Sequence, residues 1–139
     1  MVDVSKLINT KDGIQSRRIF HDQDIYDLEM ERIFARCWLF LTHESLIPNT
    51  GDYITTKMGQ DNVIVVRQQD GKVRAFINSC AHRGARVCAA EAGNTRSFVC
   101  SYHGWAFGID GALQAVPLEK EVYNNQLDKS AFGLMEVPL

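Results

Sequence analysis

The stretches of sequence that decide the fold read CAHRG at residues 80–84 and CSYHGW at residues 100–105. Each stretch holds one cysteine and one histidine at very short spacing, follows a predicted strand, and has a glycine within two residues after its histidine. Seventeen residues separate His82 from Cys100. Two thiolates and two imidazoles form a ligand set that suits zinc or an iron–sulfur cluster. The sequence therefore predicts a metal centre held by two loops.

The spacing of the ligands distinguishes between these metals. Structural zinc sites favour cysteine pairs separated by about two to four residues, whereas here each loop supplies one cysteine and then one histidine. This order matches a Rieske centre, the 2Fe–2S cluster in which two histidines replace two cysteines on one iron. We therefore predict that Cys80 and Cys100 bind one iron, and that His82 and His103 bind the other.

Gly84 and Gly104 suit loops that hold a cluster, because glycine allows positive φ and a close approach of backbone N–H groups to bridging sulfides.

The sequence around the two loops predicts a mainly β fold, with a small antiparallel β domain of the Rieske type preceded by an N-terminal helix. The predicted strands are Tyr53–Met58, Asn62–Gln69, Lys72–Asn78, Ser97–Cys100, Trp105–Gly108 and Ala112–Val116, with hairpin turns at Asp70-Gly71 and Asp110-Gly111. Residues 132–139 look like the start of a further strand.

The N-terminal third has a different pattern. Residues 1–20 show no clear period and are expected to form an irregular arm, whereas residues 22–37 have the apolar spacing of a helix. Residues 38–41, with Trp38 and Phe40, are expected to be buried. These signals divide the chain into residues 1–47, an arm and helix that pack on the core, and residues 48–139, the cluster-binding domain.

Composition excludes several classes of protein. The 139 residues suit one domain, and 15 Lys and Arg against 17 Asp and Glu give a net charge of −2, which argues against nonspecific nucleic-acid binding. No apolar run approaches the roughly 18 residues that span a bilayer, and the N-terminus has no apolar stretch of the signal-peptide type. A cytoplasmic location is therefore expected.

The remaining cysteines and histidines are expected to be structural. Cys37 and Cys88 are interpreted as free, partly buried thiols that behave as apolar residues. His21 and His43 are interpreted as a helix-start and a core-edge residue.

The chain resembles the α subunits of aromatic-ring-hydroxylating dioxygenases of the naphthalene and biphenyl dioxygenase type. The pattern Cys-x-His-x₁₇-Cys-x₂-His resembles their Rieske ligand motif. The resemblance covers most of residues 20–138, and residues 85–88 also resemble the biphenyl dioxygenase branch. The segments that carry it are 34–43, 48–58, 74–78, 91–94, 98–105 and 132–138.

The resemblance implies an electron-transfer function. Electrons would pass from NADH through a reductase, and often a ferredoxin, to the Rieske cluster. They would then pass to a mononuclear Fe(II) that uses O₂ to convert an aromatic substrate to a cis-dihydrodiol. The family places that iron in a C-terminal domain, which we expect to be absent here because this sequence has no Asp-x₂-His-x₄-His pattern. Relatives commonly assemble as α₃ or as α₃β₃ with a small β subunit.

The resemblance also assigns roles to residues next to the ligands. His103 is expected to be the electron exit, because the equivalent histidine in the family hydrogen-bonds a carboxylate that leads to the next subunit's iron. Trp105 is expected to shield the cluster or to lie at a subunit interface. Arg83, Gly84, Tyr102 and Gly104 are the other expected neighbours of the cluster.

The arginines near the loops have two interpretations. Arg83, Arg86 and Arg96 are either a docking face for an acidic ferredoxin or a solvated surface with hydrogen bonds inside the loops.

A low reduction potential is expected as well. High-potential respiratory relatives carry hydroxyl residues at the positions of Trp105 and Phe107, and cysteines that form a disulfide near the positions of Ala81 and Ser101. None of these groups is present here.

Two alternative functions stay open at this stage. One is a stand-alone Rieske ferredoxin, although the helix and the Trp-Leu-Phe run of residues 20–47 are typical of the oxygenase. The other is a zinc-stapled binding module, which would be colourless.

Overall fold

A computed structural model describes residues 2–139, which divide into two compact units, one ending at Leu39 and the other comprising Phe40–Leu139. The first unit begins with a 3₁₀ turn, Val4–Lys6, and a small antiparallel hairpin, so the expectation of an irregular arm was wrong there. A helix then follows as predicted. The elements are β1 (Ile8–Asn9), β2 (Ile14–Gln15), a 3₁₀ turn (Arg17–Phe20), α1 (Gln23–Glu29) and a π-helical turn (Met30–Phe34).

The second unit is mainly antiparallel β structure, as predicted. Its strands are β3 (Asp52–Met58), β4 (Asp61–Arg67), β5 (Val73–Ile77), β6 (Ala92–Asn94), β7 (Ser97–Val99), β8 (Ala106–Gly108), β9 (Leu113–Ala115) and β10 (Glu136–Val137). The first sheet has five strands in the order β10-β5-β4-β3-β6, and the second sheet has three strands in the order β7-β8-β9. Short helical segments lie at Glu44–Leu46, at α2 (Glu119–Tyr123) and at Lys129–Phe132.

Strand β4 explains how the five-stranded sheet is covered. Its four consecutive residues Val63–Val66 are all buried, which is the pattern of a strand enclosed on both faces. Successive side chains of a strand point to opposite faces. Ile64 and Val66 therefore join the larger core, with the cluster-loop cysteines, while Val63 and Val65 join a smaller core around Ile47.

The two sheets of the second unit meet in the larger core. The buried side chain of Gln68, just after β4, donates from Nε2 to the carbonyl of Ile109 at 2.6 Å. Gly111, in the turn between β8 and β9, has φ of +83° and lies so close to the Phe76 ring of β5 that a Cβ would overlap it. These contacts join the β8–β9 turn of the second sheet to strands β4 and β5 of the first.

Three expectations about burial were wrong. Trp38 and Phe40 are each 82% exposed, although their apolar run predicted burial. Cys37 is also exposed, whereas Cys88 is buried as expected. Apolar character alone predicted the burial of Trp38 and Phe40, and it does not specify which surface covers a side chain.

Within the described residues, none of the helices combines the length and the apolar character that crossing a bilayer requires.

Candidate metal centre

The two predicted cluster loops have the same backbone hydrogen bonds although they come from different sheets. In the first loop, after β5, the N–H of Cys80 donates to the carbonyl of Ala85 and the N–H of Gly84 donates to the carbonyl of Cys80, both at 2.8 Å. The second loop, between β7 and β8, has the same two bonds. The N–H of Cys100 donates to the carbonyl of Trp105, and the N–H of Gly104 donates to the carbonyl of Cys100, both at 2.9 Å. Each cysteine therefore begins a loop of the same closed shape.

The glycine that closes each loop is required by the backbone. Gly84 has φ of +72° and Gly104 has φ of +73°, a region that residues with a Cβ rarely adopt. A Cβ on Gly104 would also lie only 2.8 Å from Cγ of Pro117. The sequence predicted both glycines next to the cluster, and their positive φ values explain why glycine occupies these two positions.

The two cysteines lie at the bottom of the site. Cys80 is 4% exposed and Cys100 is 2% exposed. Burial raises the pKa of the Cys80 thiol, and the adjacent Cys100 raises that pKa further, while the nearby backbone N–H groups of His82 and Arg83 lower it. Amides directed at a sulfur favour the thiolate, the form in which cysteine binds metals.

The two histidines of the loops come together. The rings of His82 and His103 have centroids 4.7 Å apart and planes at 70°. Burial lowers the pKa of His82, with smaller effects from His103 and Arg83, and this favours the neutral imidazole that binds metals. His82 is half-buried, whereas His103 is exposed.

The Nδ1 atom of His82 provides a direct test of the fit to a cluster. This atom is buried and has no hydrogen-bond partner within the described part of the chain. A buried polar nitrogen without a partner is costly, so it points to a group that the nitrogen binds. A metal ligand satisfies it, and the two buried thiols of the same two loops complete a sulfur and nitrogen donor set that suits iron–sulfur chemistry.

The donor set is shared between two metals in a Rieske centre. Among residues 2–139, no three His, Cys, Asp or Glu side chains are placed to hold one ion. In a Rieske cluster each iron takes only two protein ligands, because bridging sulfides supply the rest. The pairing of two thiols and two imidazoles fits that arrangement.

Aromatic side chains flank both histidines. Trp105 is 3% exposed and stacks on His82, with ring centroids 4.7 Å apart and planes at 7°. Tyr102 is 60% exposed and contacts His103, with centroids 3.8 Å apart and planes at 35°.

The other sequence-predicted residues lie at the edge of the site or outside it. Arg83, Arg86 and Arg96 are exposed, and Arg86 donates to the Asn62 side chain at 3.2 Å. His43 accepts from the backbone N–H of Ser45 at the start of a 3₁₀ turn, which is a structural role.

Sequence reasoning missed two contributors to the site. One is Asn78, whose buried side chain bonds the backbone of Val87 and Cys88 and holds the first loop closed. The signal for it was a polar residue at the end of an alternating strand, directly before the ligand motif. The other is the stacking of Trp105 on the opposite loop, a non-local contact that no short motif encodes.

The fold and this pair of loops define a class of electron-transfer domain, and comparison with known proteins identifies it. The family model described as "Rieske [2Fe-2S] domain" matches residues 37–128, so the chain belongs to the Rieske family.

The relatives with high identity are large subunits of dioxygenases. The chain is 55% identical over 134 residues to the naphthalene 1,2-dioxygenase system large oxygenase component of Pseudomonas aeruginosa, covering 96% of this chain and 30% of that relative. It is 46% identical to biphenyl dioxygenase subunit alpha of Metapseudomonas furukawaii, covering 94% of this chain and 30% of the relative. A structure of naphthalene 1,2-dioxygenase with indole bound in the active site matches with a TM-score of 0.83 and 54% identity, over 94% of this chain and 29% of that one. The chain thus spans about 30% of the length of these relatives.

Proposed function

We propose that this chain is the electron-transfer domain of the large component of an aromatic-ring-hydroxylating dioxygenase. Cys80 and Cys100 would bind one iron of a 2Fe–2S cluster, and His82 and His103 would bind the other. The observation that carries the proposal is the convergence of two identically closed loops on two buried thiols and two adjacent imidazoles, one with an orphaned buried nitrogen. The identity to dioxygenase large components favours this function over a stand-alone ferredoxin.

A bound Rieske cluster accepts and releases one electron at a time. The chain supplies the surroundings for that chemistry. The backbone N–H groups of His82 and Arg83 lower the pKa of the Cys80 thiol and so favour its thiolate form. Trp105 covers one face of His82 and keeps water from it.

His103 is the proposed electron exit. It is the exposed one of the two histidines, so its ring edge is the part of the ligand set that a second protein can touch. Tyr102 beside it is also largely exposed, which gives this corner of the domain an aromatic surface. Electron transfer falls steeply with distance, and an exposed ligand therefore gives the shortest route out of the domain.

The proposed partners follow from the relatives. We propose that a reductase, with or without a ferredoxin, delivers electrons from NADH, and that the electrons continue to a mononuclear Fe(II) in the full-length protein. There O₂ would oxidise an aromatic substrate, in an α₃ or α₃β₃ assembly. A reducing compartment such as the cytoplasm fits the four cysteines, which are all free thiols.

The function is tested by supplying electrons to the reconstituted chain. The 139-residue protein would be loaded anaerobically with ferrous iron and sulfide, and then mixed with NADH, a ferredoxin reductase and a 2Fe–2S ferredoxin. We expect bleaching of the visible absorbance equivalent to one electron per chain. A loaded protein that stays oxidised under these conditions would contradict the proposed function.

Two matched cysteine variants provide the control. Cys100→Ala removes a proposed ligand, whereas Cys88→Ala removes a thiol that is also buried but lies outside the ligand set. Cys88→Ala is expected to take up iron and sulfide as the wild type does, and Cys100→Ala is expected to lose the cluster. Equal loss of iron in both variants would contradict the ligand assignment.

A further inference from the structure

Trp105 ends the second loop of the metal centre and also contacts the first. Its indole stacks on the His82 ring of the first loop, with planes only 7° apart. Its own carbonyl accepts the hydrogen bond from the N–H of Cys100 that closes the second loop, at 2.9 Å. One residue therefore couples the ligands of the two loops.

Two further aromatic rings pack against the indole. The ring of Phe132 lies 5.7 Å from it at 86°, and the ring of Tyr123 lies 6.5 Å from it at 73°. These are edge-to-face contacts at favourable distances for aromatic pairs. Because Trp105 is almost fully buried, its ring cannot turn away from His82 without displacing these neighbours.

The corresponding position in the first loop has no such ring. Ala85 accepts the hydrogen bond from Cys80, as Trp105 does from Cys100, but its side chain is a methyl group. The two loops thus share a backbone shape, but Ala85 has no ring to place on the opposite loop, whereas Trp105 stacks on His82. His82 therefore contacts a buried indole from the other loop, and His103 contacts the Tyr102 ring of its own loop, which is 60% exposed.

We propose that Trp105 is a positioning residue for His82, which fixes the plane of this ligand ring and excludes water from its face. The two histidine ligands are then inequivalent: His82 is half-buried and packed on one face by the indole, whereas His103 is exposed to solvent. The inference rests on the proposed function, since it concerns how the chain holds its cluster.

The test uses pulsed electron paramagnetic resonance on the reduced, reconstituted chain, where each ligand histidine gives its own nitrogen coupling. Trp105→Leu is expected to shift one of the two couplings, and Trp105→Phe, which keeps an aromatic ring, is expected to shift the same coupling less. Tyr102→Leu is expected to shift the other coupling. Trp105→Leu should also lose its cluster on the order of tenfold faster, as is typical when a group that orients a metal ligand is removed.

The reduction potential provides a second readout. Water that reaches the His82 ring in Trp105→Leu stabilises the more negative, reduced state, so the potential is expected to rise. Phe132→Leu provides a graded comparison, because it loosens the packing against the indole but keeps the ring that stacks on His82. It is expected to lower the free energy of unfolding and to shift the His82 coupling less than Trp105→Leu does.

The proposal is overturned if Trp105→Phe leaves both couplings and the rate of cluster loss unchanged, a result that stands even if Trp105→Leu does not fold. It is also overturned if Phe132→Leu moves the same coupling as far, or if Tyr102→Leu and Trp105→Leu move the same one. A wild-type chain without a Rieske signal would refute the proposed function itself, so the two failures are distinguishable.

Discussion

The side chain of Asn78 hydrogen-bonds the backbone of Cys88 in both directions: its Nδ2 donates to the Cys88 carbonyl at 2.7 Å, and its Oδ1 accepts from the Cys88 N–H at 2.9 Å. The same oxygen accepts from the N–H of Val87 at 3.0 Å. The asparagine is buried, so it replaces water for three backbone groups. The first cluster loop is therefore closed at its base by a side chain as well as by its own backbone.

Asn78→Ala is expected to destabilise the chain strongly. The substitution leaves buried backbone donors and an acceptor without partners, which we expect to cost about 2–4 kcal/mol of unfolding free energy. Urea unfolding measures this cost. Asn94→Ala is the control, because Asn94 also makes side-chain hydrogen bonds but is exposed, and it is expected to cost less than about 1 kcal/mol. Equal costs would refute the role of Asn78.

Gly104→Ala is expected to be more damaging than Gly84→Ala. Both substitutions place a Cβ at positive φ, at a cost of about 1–2 kcal/mol. Only at Gly104 does the Cβ also meet Pro117, which adds an overpacking cost of about 1–3 kcal/mol. Unfolding free energy and iron content of the purified chain measure both effects.

Gly71→Ala serves as the control for these loop variants. Gly71 has φ of +80° in the β4–β5 turn, and a Cβ there meets nothing within 4 Å. The Gly71→Ala variant is expected to have a lower unfolding free energy than the wild type and the same iron content. A Gly71 variant that loses as much iron as the Gly104 variant would show that strain anywhere in the domain releases the metal.

A low reduction potential is expected of the loaded chain. Hydrogen bonds to cluster sulfurs and ligands raise Rieske potentials within a range of about −150 to +300 mV. Trp105 and Phe107 have no hydroxyl to donate to the cluster, and both are buried in the apolar core. We therefore expect a value below about 0 mV, measured by spectroelectrochemical titration. A value well above zero would mean that other donors reach the cluster.

The carboxylate of Asp52 is expected to make stability depend on pH. The amide of Asn94 and the N–H of Asn49 donate to it and hold its pKa below the usual value of 3.8. A carboxyl whose pKa is depressed by folding stabilises the native state above its unfolded pKa, and this stabilisation is lost as the pH falls through the folded value. As the pH falls from about 5 to 3, the urea midpoint of unfolding should therefore decrease more for the wild type than for Asp52→Asn. Asn94→Ala should give an intermediate fall, and parallel curves for all three proteins would contradict the assignment.

Much of this architecture could be predicted from local sequence. The alternating and β-branched residues of β3, β4 and β5, with Asp-Gly turns, predicted the strands near their observed positions. Strand β6 was missed because Ala92–Asn94 has low intrinsic strand propensity and becomes a strand only by pairing with Asp52–Ile54 of β3. The hairpin of β1 and β2 was missed because its strands have only two residues each.

The candidate ligands could also be predicted, because their spacing is a local property of the sequence. Their inequivalence could not be predicted from the motif alone. It depends on Trp105 reaching the opposite loop, and on the exposure of His103, both of which follow from the packing of two sheets. The exposure of Trp38 was mispredicted for a related reason, since apolar character does not specify which surface covers a side chain.

The central claim is that Cys80, His82, Cys100 and His103 hold one Rieske cluster. Electron paramagnetic resonance of the dithionite-reduced chain tests it most directly, with iron and acid-labile sulfide counted on the same sample. We predict a rhombic signal with an average g below 2, and two iron and two sulfide per chain. A sample that contains stoichiometric zinc, lacks sulfide and gives no signal would contradict it.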